Sequence, residues 1–356
     1  MSARLRGMLE GDFVAWSVTL AWILGILLAL MLALGTPFSA ALHGFVDGAF
    51  GGRRFSFLMA TLSRTTLIVG MALSVMLSFR AGLFNIGGEG QLVAGGLVSA
   101  MVAILLPVPP LVGLIAGIAA GMLAGALWAL LAGVLQIYVG VPLLVGSLLL
   151  NFPIRYVASY LVAHPFRDVP SGMVQSNLVP EGTWLPYFPG VRLDIGILFI
   201  AVVAVLAIAY SHTTVHGYRA RLNGLSGDFA RAVGLPVARL TFETLAMSGA
   251  IAGLVGALAV FGIHHRYIDG MLVQPLYAWT GIIAVLLVGM IPWLVPFSGF
   301  FFAAIQTGAS GMERAASVPK EIGLVMQAVI ILFVASRVSG ALLSSADRAR
   351  EGGDGA

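Results

Sequence analysis

Cysteine is absent from this 356-residue chain, and charged residues make up only 10% of it. The absence of thiols excludes disulfide bonds, cysteine nucleophiles and cysteine-ligated metal sites. Soluble domains carry about 25% charged residues. Here 59% of residues are hydrophobic and the mean hydropathy is +1.01. The composition therefore predicts a membrane protein that crosses the bilayer several times.

The basic residues are nearly all arginine, and they are dispersed. The chain has 19 Lys and Arg against 15 Asp and Glu, a net charge of +4. Because the arginines lie between hydrophobic runs and form no single patch, they indicate membrane topology and no nucleic-acid partner. The first run, Phe13 to Leu34, is too long for a cleavable signal and no A-x-A site follows it. It predicts an uncleaved span.

Long apolar runs recur along the whole chain. A transmembrane helix needs about 20 apolar residues. By that measure the sequence predicts an all-α, polytopic membrane protein with about ten transmembrane helices, embedded in membrane lipid as a single transmembrane domain over residues 1–356. The predicted spans are 13–34, 58–79, 91–106, 111–137, 142–162, 193–210, 240–262, 278–291, 294–311 and 321–340.

Ten spans place both termini on one side of the membrane. The positive-inside rule makes that side the cytoplasm, because the polar loop at 211–240 carries four arginines. We therefore predict a cytoplasmic loop at 213–239, an external loop at 163–192 and a polar cytoplasmic tail at 344–356. The opposite side also has arginines, namely Arg53, Arg54, Arg167 and Arg192.

The predicted external loop is rich in proline and glycine, and it carries Trp184, Tyr187 and Phe188. Aromatic side chains at this position are typical of anchoring at the lipid headgroups. A docking surface for an external partner is the alternative interpretation. The sequence leaves both open.

A ridge of small residues marks the span at 111–137. Gly113, Gly117, Gly121 and Gly125 recur every fourth residue, and Ala129 and Gly133 continue the series. Small residues at this spacing let helix backbones approach closely in lipid. A similar face in the span at 240–262 consists of Ser248, Ala252 and Gly256. Both faces predict tight helix packing and no chemistry.

The segment FRAGLFNIGGEGQ at 79–91 joins two membrane-length runs and is unusually polar for that position. Its four glycines permit non-helical backbone, and an unwound stretch between helices offers free N–H and C=O groups to a polar solute. Asn85 can donate and accept hydrogen bonds. We expect Glu89 to cap the following helix. The alternative is a rigid turn in which Glu89 caps and Arg80 faces the lipid headgroups.

The cytoplasmic loop contains the signals of a short helix, in GYRARLNGLSGDFARAVGLP at 217–236. Ser226 is the expected N-cap, Asp228 lies in the first turn and Arg231 in the last. Gly234 follows at the C′ position, and Pro236 stops the helix. Such a short helix is marginal in water. It is therefore expected to dock on a partner or to lie on the lipid surface.

Three further polar positions fall at or near membrane depth. Asn151 and Arg155 are four residues apart and share a helix face, where they suit a solute contact or an interhelix hydrogen bond equally. Glu243 is expected to reach the interface or pair with an arginine. No nucleophile–base pair or Walker loop is present, and the adjacent His264 and His265 point apart. The chain is not expected to be an enzyme or to bind a metal.

Several segments resemble one known family. They are FRAGLFNIGGEGQ, the run LLLNFPIRYVASYLV at 148–162, the loop ending in ARAVGL, and TGIIAVLL followed by GMERAASVP. The chain resembles the membrane permease subunits of bacterial nucleoside-type ABC importers, within the superfamily of ribose and branched-chain amino acid permeases. The similarity spans most of residues 58–340. It departs at MIPWLVPFS (290–298) and in the first fifty residues.

The resemblance implies a type II ABC importer fold in the cell inner membrane. It also implies a second related permease or a second copy of this chain, an external substrate-binding lipoprotein, and a cytoplasmic ABC ATPase. ATP and Mg²⁺ would bind to that ATPase, so no cofactor is expected in this chain. The implied activity is import of a nucleoside. A sugar or branched-chain amino acid permease and an ion-coupled secondary transporter are the alternatives.

Two sets of residues follow as hypotheses. One borders the solute pathway, and the other couples the permease to the ATPase through an apolar face of the short helix. The pathway set is Phe84, Asn85, Ile86, Gly87, Gly88, Glu89 and Asn151. The coupling set is Gly224, Ser226, Asp228, Phe229, Arg231, Val233 and Gly234.

Overall fold

The computed structural model describes Gly25 and residues 37–332. The described chain is helical, and its only β-type pairing consists of isolated bridges. It forms two compact units, one made of Met59–Ala303 and the other of the residues before and after that stretch. The α-helices are α1 Phe38–Phe50, α2 Ser56–Arg80, α3 Gly88–Leu105, α4 Pro110–Val134, α5 Leu143–Ala163, α6 Gly196–Thr213, α7 Val215–Leu225, α8 Gly227–Ala232, α9 Val237–Leu258, α10 Tyr277–Leu287, α11 Val295–Ala316 and α12 Ile322–Leu332.

The all-α, polytopic character is confirmed. Each predicted span from 58–79 onward contains a helix. The span at 13–34, the end of 321–340 and the tail at 344–356 lie outside the described residues. Six helical segments of the described chain are long and apolar enough to cross a membrane. The eleven residues of α10 cover only about 16 Å at 1.5 Å per residue. The total of ten spans therefore stays a prediction.

The glycine ridge of α4 packs as predicted against α3 and α9. A Cβ on Gly125 would collide with the carbonyl oxygen of Gly249 and lie 2.8 Å from the Gly253 Cα. All six positions of the ridge are buried. Because no side chain separates the backbones, α3, α4 and α9 form one tight core. Ser74 of α2 joins this core by donating a 2.7 Å hydrogen bond to the Ser248 carbonyl.

The smaller unit contains a helix that the sequence analysis did not predict. This is α1, whose glycines pack on the C-terminal half of α11. A Cβ on Gly48 would lie 2.5 Å from the Gly311 Cα, and Arg314 stacks over the Phe57 ring at 4.4 Å. With 13 residues, α1 is too short to be recognised by a span-length criterion.

The loop at 163–192 folds onto the chain that leaves α9. The N–H of Ser176 donates to the Tyr267 carbonyl at 2.8 Å, and Asp168 pairs with Arg266 at 2.9 Å. The Trp184 ring stacks on His265 with centroids 3.9 Å apart. Trp184 thus packs within the protein.

Candidate solute pathway and coupling surface

The chain between α2 and α3 is non-helical, as its glycines predict. α2 ends at Arg80, Gly82 turns the backbone with φ +76°, and α3 begins at Gly88. No helical hydrogen bonds span residues 83–86. We call residues 81–87 the α2–α3 break. Polar backbone in such a position needs partners other than lipid.

The helix α5 supplies those partners. The Ile86 N–H donates to the Ser147 hydroxyl at 3.1 Å. The Asn151 amide donates to the Ile86 carbonyl at 3.2 Å, and its oxygen accepts from the Gly90 N–H at 2.8 Å. Asn151 lies eight residues into α5, about 12 Å along its axis. The first turn of α3 therefore lies beside the middle of α5. Side chains have to cap the backbone groups of the break at that depth.

Asn85 supplies a second cap within the break. Its side chain is buried, and its oxygen accepts from the Gly87 N–H at 3.0 Å and from the Gln91 amide at 3.2 Å. The expectation that Glu89 caps α3 was wrong, because the two asparagine amides accept from the backbone instead. Gly90 has no room for a Cβ, which would lie 2.9 Å from the Asn151 oxygen.

The Glu89 carboxylate pairs across to α5. Its Oε1 lies 3.4 Å from a guanidinium nitrogen of Arg155. The Glu89 side chain is 7% exposed and that of Arg155 is 43% exposed. Removing one partner of a buried pair costs about 3–5 kcal/mol, because it leaves an uncompensated charge. This partly exposed pair is expected at the low end of that range.

A cavity of about 280 Å³ lies beside this ion pair. One helix face, formed by Phe152, Arg155, Tyr156 and Ser159 of α5, lines one side. The spacing of three and four residues puts these side chains on a single stripe. The opposite side is formed by the segment after α9, with Tyr267, Asp269 and Gln274.

None of the seven predicted pathway residues lines this cavity directly. Asn85, Asn151 and the glycines hold the α2–α3 break, and Glu89 reaches the cavity only through Arg155. Phe84 is 52% exposed and packs on Phe79 with ring centroids 5.2 Å apart. Of the two open interpretations of Asn151, the structure shows the interhelix hydrogen bond.

The cavity residues had a weak signal in the sequence. Phe152, Arg155, Tyr156 and Ser159 form an aromatic and polar stripe on one helix, of which the sequence analysis singled out Arg155 alone. Asp269 and Gln274 lie in a non-helical segment with no periodicity to place them. Only the fold brings the two groups together.

The predicted short helix is confirmed as α8, Gly227–Ala232. The Ser226 hydroxyl accepts from the Phe229 N–H at 3.2 Å. Gly234 has φ +78°, and the Leu235 N–H donates to the Ala230 carbonyl at 3.0 Å, which completes a Schellman end. Asp228 pairs with Arg231.

The predicted apolar face of this helix lies open. Phe229 and Val233 are each 51% exposed, whereas Ala230 between them is buried. A pair of exposed apolar side chains at a spacing of four suits a groove on a partner. The loop contains a second helix, α7, which the sequence analysis missed although Thr214 caps it by accepting from the Gly217 N–H at 3.0 Å.

The end of α7 rests on the beginning of the α2–α3 break. The Asn223 amide donates to the Ala81 carbonyl at 2.9 Å. Gly224 packs against the backbone of Arg80 and Gly82. The Arg80 guanidinium donates to the Met290 carbonyl at 3.0 Å, which binds this side chain to the segment after α10.

Glu243 lies at a second cavity, of about 460 Å³, near the other end of α7. Its carboxylate accepts from Arg239 at 2.8 Å and lies 3.7 Å from the His216 ring. The expectation that Glu243 pairs with an arginine is confirmed. The Arg239 side chain is exposed and that of Glu243 is half-buried, so the pair contributes little to stability.

Outside the spans, the His265 imidazole is a titratable group whose pKa is changed by its surroundings. Burial lowers the pKa of this imidazole from its ordinary value, and the nearby Asp194 carboxylate opposes that change. The Tyr187 hydroxyl lies 3.2 Å from the His265 Nε2. The stacked Trp184 covers the ring. These surroundings therefore favour the neutral form of the His265 imidazole over the charged form.

The family model described as "branched-chain amino acid transport system / permease component" matches residues 57–335. The chain belongs to this permease family. The permease is 30% identical to a glucose ABC transporter permease of Haloferax volcanii over 78% of this chain and 75% of that protein. It is 26% identical to a guanosine ABC transporter permease of Bacillus subtilis, over 86% and 88%. It is 27% identical to a nucleoside ABC transporter permease of Lactococcus lactis, over 89% of each.

These matches confirm the resemblance. The protein is a multi-pass membrane permease of an ABC transporter, and it is a transport component and not an enzyme. Family membership implies an ATPase partner and a substrate-binding protein. The ion-coupled secondary transporter is therefore no longer a candidate.

Proposed function

We propose that this permease imports a nucleoside across the bacterial inner membrane. The observation that supports it most directly is the cavity beside Glu89, which combines aromatic walls with hydrogen-bond donors and acceptors. A nucleoside joins a flat base to a hydroxylated sugar and needs both kinds of contact. Two of the relatives are named for guanosine and for nucleosides, and each aligns with more than four-fifths of this chain.

The proposed pathway runs past the α2–α3 break. Phe84, Asn85, Glu89, Asn151 and the backbone of 86–88 border it, and the two asparagines hold the break open at a fixed depth. Glu89 fixes the Arg155 guanidinium at the edge of the cavity. Contacts of this kind are few, which suits a site that the solute has to leave.

The proposed energy input enters through α8. Nucleotide state in the ATPase changes the permease only if the two proteins share a contact that differs between their states. The exposed Phe229 and Val233 offer such a contact, with Asp228 and Arg231 beside them to set its orientation. Gly224, at the start of this segment, touches the backbone at the start of the break.

The proposed assembly has both termini in the cytoplasm. It contains a cytoplasmic ATPase, an external binding lipoprotein, and either a related second permease or a second copy of this chain. Because the chain lacks cysteine, single cysteines report topology. Asp228→Cys and Glu181→Cys occupy exposed positions and should be labelled from opposite sides in intact cells. Labelling of both from outside would overturn this topology.

Glucose is the second candidate solute, because the relative that is 30% identical carries that name. Aromatic rings also stack on sugars, so the cavity does not exclude it. A free sugar has no base edge, however, and would leave the Arg155 guanidinium without a carbonyl or ring-nitrogen acceptor.

Uptake by cells that lack the gene, compared with complemented cells, tests the proposal. The solutes are labelled uridine, inosine, glucose and leucine. Nucleoside uptake should fall on deletion and return on complementation, while uptake of glucose and leucine stays constant. Loss of glucose or leucine uptake alone would overturn the nucleoside assignment.

A further inference from the structure

The cavity beside Glu89 has the size of a site for one small solute. Small-molecule sites have volumes of about 300–1,000 Å³, and this cavity of about 280 Å³ is at the lower limit. Its walls differ in chemistry. α5 presents aromatic and donor groups, and the segment after α9 presents an acid and an amide.

The Arg155 guanidinium is held in place by contacts that leave several of its N–H donors unused. One guanidinium nitrogen contacts Glu89, and the group also lies 6.0 Å from the Phe152 ring centroid. The remaining N–H groups belong to a side chain that is 43% exposed and lines the cavity. Arginine has five donors and no acceptor. It therefore suits a solute edge that carries only acceptors, such as the O6 and N7 of a 6-oxopurine.

Asp269 offers hydrogen-bond acceptors on the side of the cavity opposite the Arg155 donors. Its carboxylate accepts from the Ser159 hydroxyl at 3.3 Å and is otherwise exposed at the cavity. Acidic side chains commonly bind the hydroxyls of a ribose. Gln274, on the same side, can both donate and accept. The flat rings of Phe152 and Tyr156 complete the walls, and aromatic rings of this kind stack on nucleobases.

We propose that this cavity is the solute-binding site of the permease and that it prefers 6-oxopurine nucleosides. The base lies against Phe152 and Tyr156, Arg155 donates to its O6 and N7 edge, and Asp269 accepts from the ribose hydroxyls. Adenosine differs from inosine by an amino donor in place of O6, which would face the guanidinium donors. This inference rests on the proposed nucleoside transport.

Protection of a single cysteine tests the site. In the purified complex with its ATPase, Ser159→Cys lies in the cavity, and Tyr160→Cys lies on the same helix outside it. The rate of modification by a maleimide is measured with inosine, adenosine or glucose. Inosine should slow the reaction of Ser159→Cys at least fivefold, adenosine less, and glucose not at all. Tyr160→Cys should react equally in all three.

Two further variants link protection to the side chains. Asp269→Asn in the Ser159→Cys background should remove most of the protection by inosine, whereas Glu181→Gln, an exposed acid away from the cavity, should keep it. Equal protection by inosine and glucose, or none while cells still take up inosine, would overturn this site. If the wild-type complex transports no nucleoside at all, the proposed function itself fails.

Discussion

Gly82 and Gly224 lie in backbone contact. A Cβ on Gly82 would lie 2.9 Å from the Gly224 Cα, and a Cβ on Gly224 would lie 2.9 Å from the Gly82 nitrogen. The Asn223 hydrogen bond to Ala81 adds to this contact. Because both surfaces are backbone, neither can yield by changing a rotamer. The contact therefore joins the end of α7 to the first residues of the α2–α3 break.

Gly224→Ala tests whether this contact carries the coupling. The added methyl group would collide with the Arg80 carbonyl, and overpacking of this kind costs about 1–3 kcal/mol. We expect the complex to assemble and hydrolyse ATP while solute transport falls about tenfold. Gly227→Ala is the matched control, since its Cβ would meet only the Asn223 side chain at 3.9 Å. Normal transport by Gly224→Ala would show that the contact does not carry coupling.

Phe229→Asp separates a docking helix from a lipid-bound one. A carboxylate in an apolar groove is unpaired and desolvated, so the loss should be that of an interface hot spot, at least about 2 kcal/mol. The permease should insert normally but copurify with little ATPase. Tyr218→Asp, an exposed aromatic residue on α7, is the control. Full ATPase stoichiometry and normal transport in Phe229→Asp would contradict the docking assignment.

Asn151→Ala should destabilise the α2–α3 break. It removes the partner of both the Gly90 N–H and the Ile86 carbonyl. Each unsatisfied buried group costs about 1–3 kcal/mol. The midpoint of thermal unfolding in detergent should therefore fall, whereas Asn177→Ala, at an exposed position, should leave it unchanged. An unchanged midpoint for Asn151→Ala would mean that other groups or water replace the amide.

The packing of the 163–192 loop should weaken in mild acid through His265. Its pKa is lowered in the folded protein, so the unfolded state binds the proton more readily. The stabilisation is complete above the unfolded pKa of about 6.5 and is lost as the pH falls towards the folded value. Unfolding monitored by tryptophan fluorescence should show this loss beginning as the pH falls through about 6.5.

His265→Gln should flatten that pH dependence, because the side chain no longer titrates. His164→Gln, at the same end of the protein but exposed, should retain it. A wild-type dependence that persists in full in His265→Gln would assign it to another group, such as the neighbouring His264.

Local signals explain what the sequence predicted well. Ser226 and Gly234 cap a helix through contacts with their own neighbours in the chain, so α8 was recognisable without the fold. The four-residue spacing of the α4 glycines likewise defines one face of one helix. Gly82, Gly87, Gly88 and Gly90 marked the break for the same reason.

Contacts between residues far apart in the chain explain which features the sequence analysis did not predict. Asn85 and Asn151 cap α3 instead of Glu89, because α5 lies alongside the break at that depth. Nothing local joins Asp269 to Ser159, which are 110 residues apart. The helix α7 had a recognisable cap in Thr214, but its many polar side chains obscured any apolar face.

ATP-driven uptake by the reconstituted transporter tests the central claim most directly. The permease, its ATPase, its partner permease and the binding protein are placed in liposomes with labelled inosine and, separately, labelled glucose. We predict accumulation of inosine that requires ATP and falls sharply in the Gly224→Ala complex, with no accumulation of glucose. ATP-dependent accumulation of glucose without inosine would contradict the account.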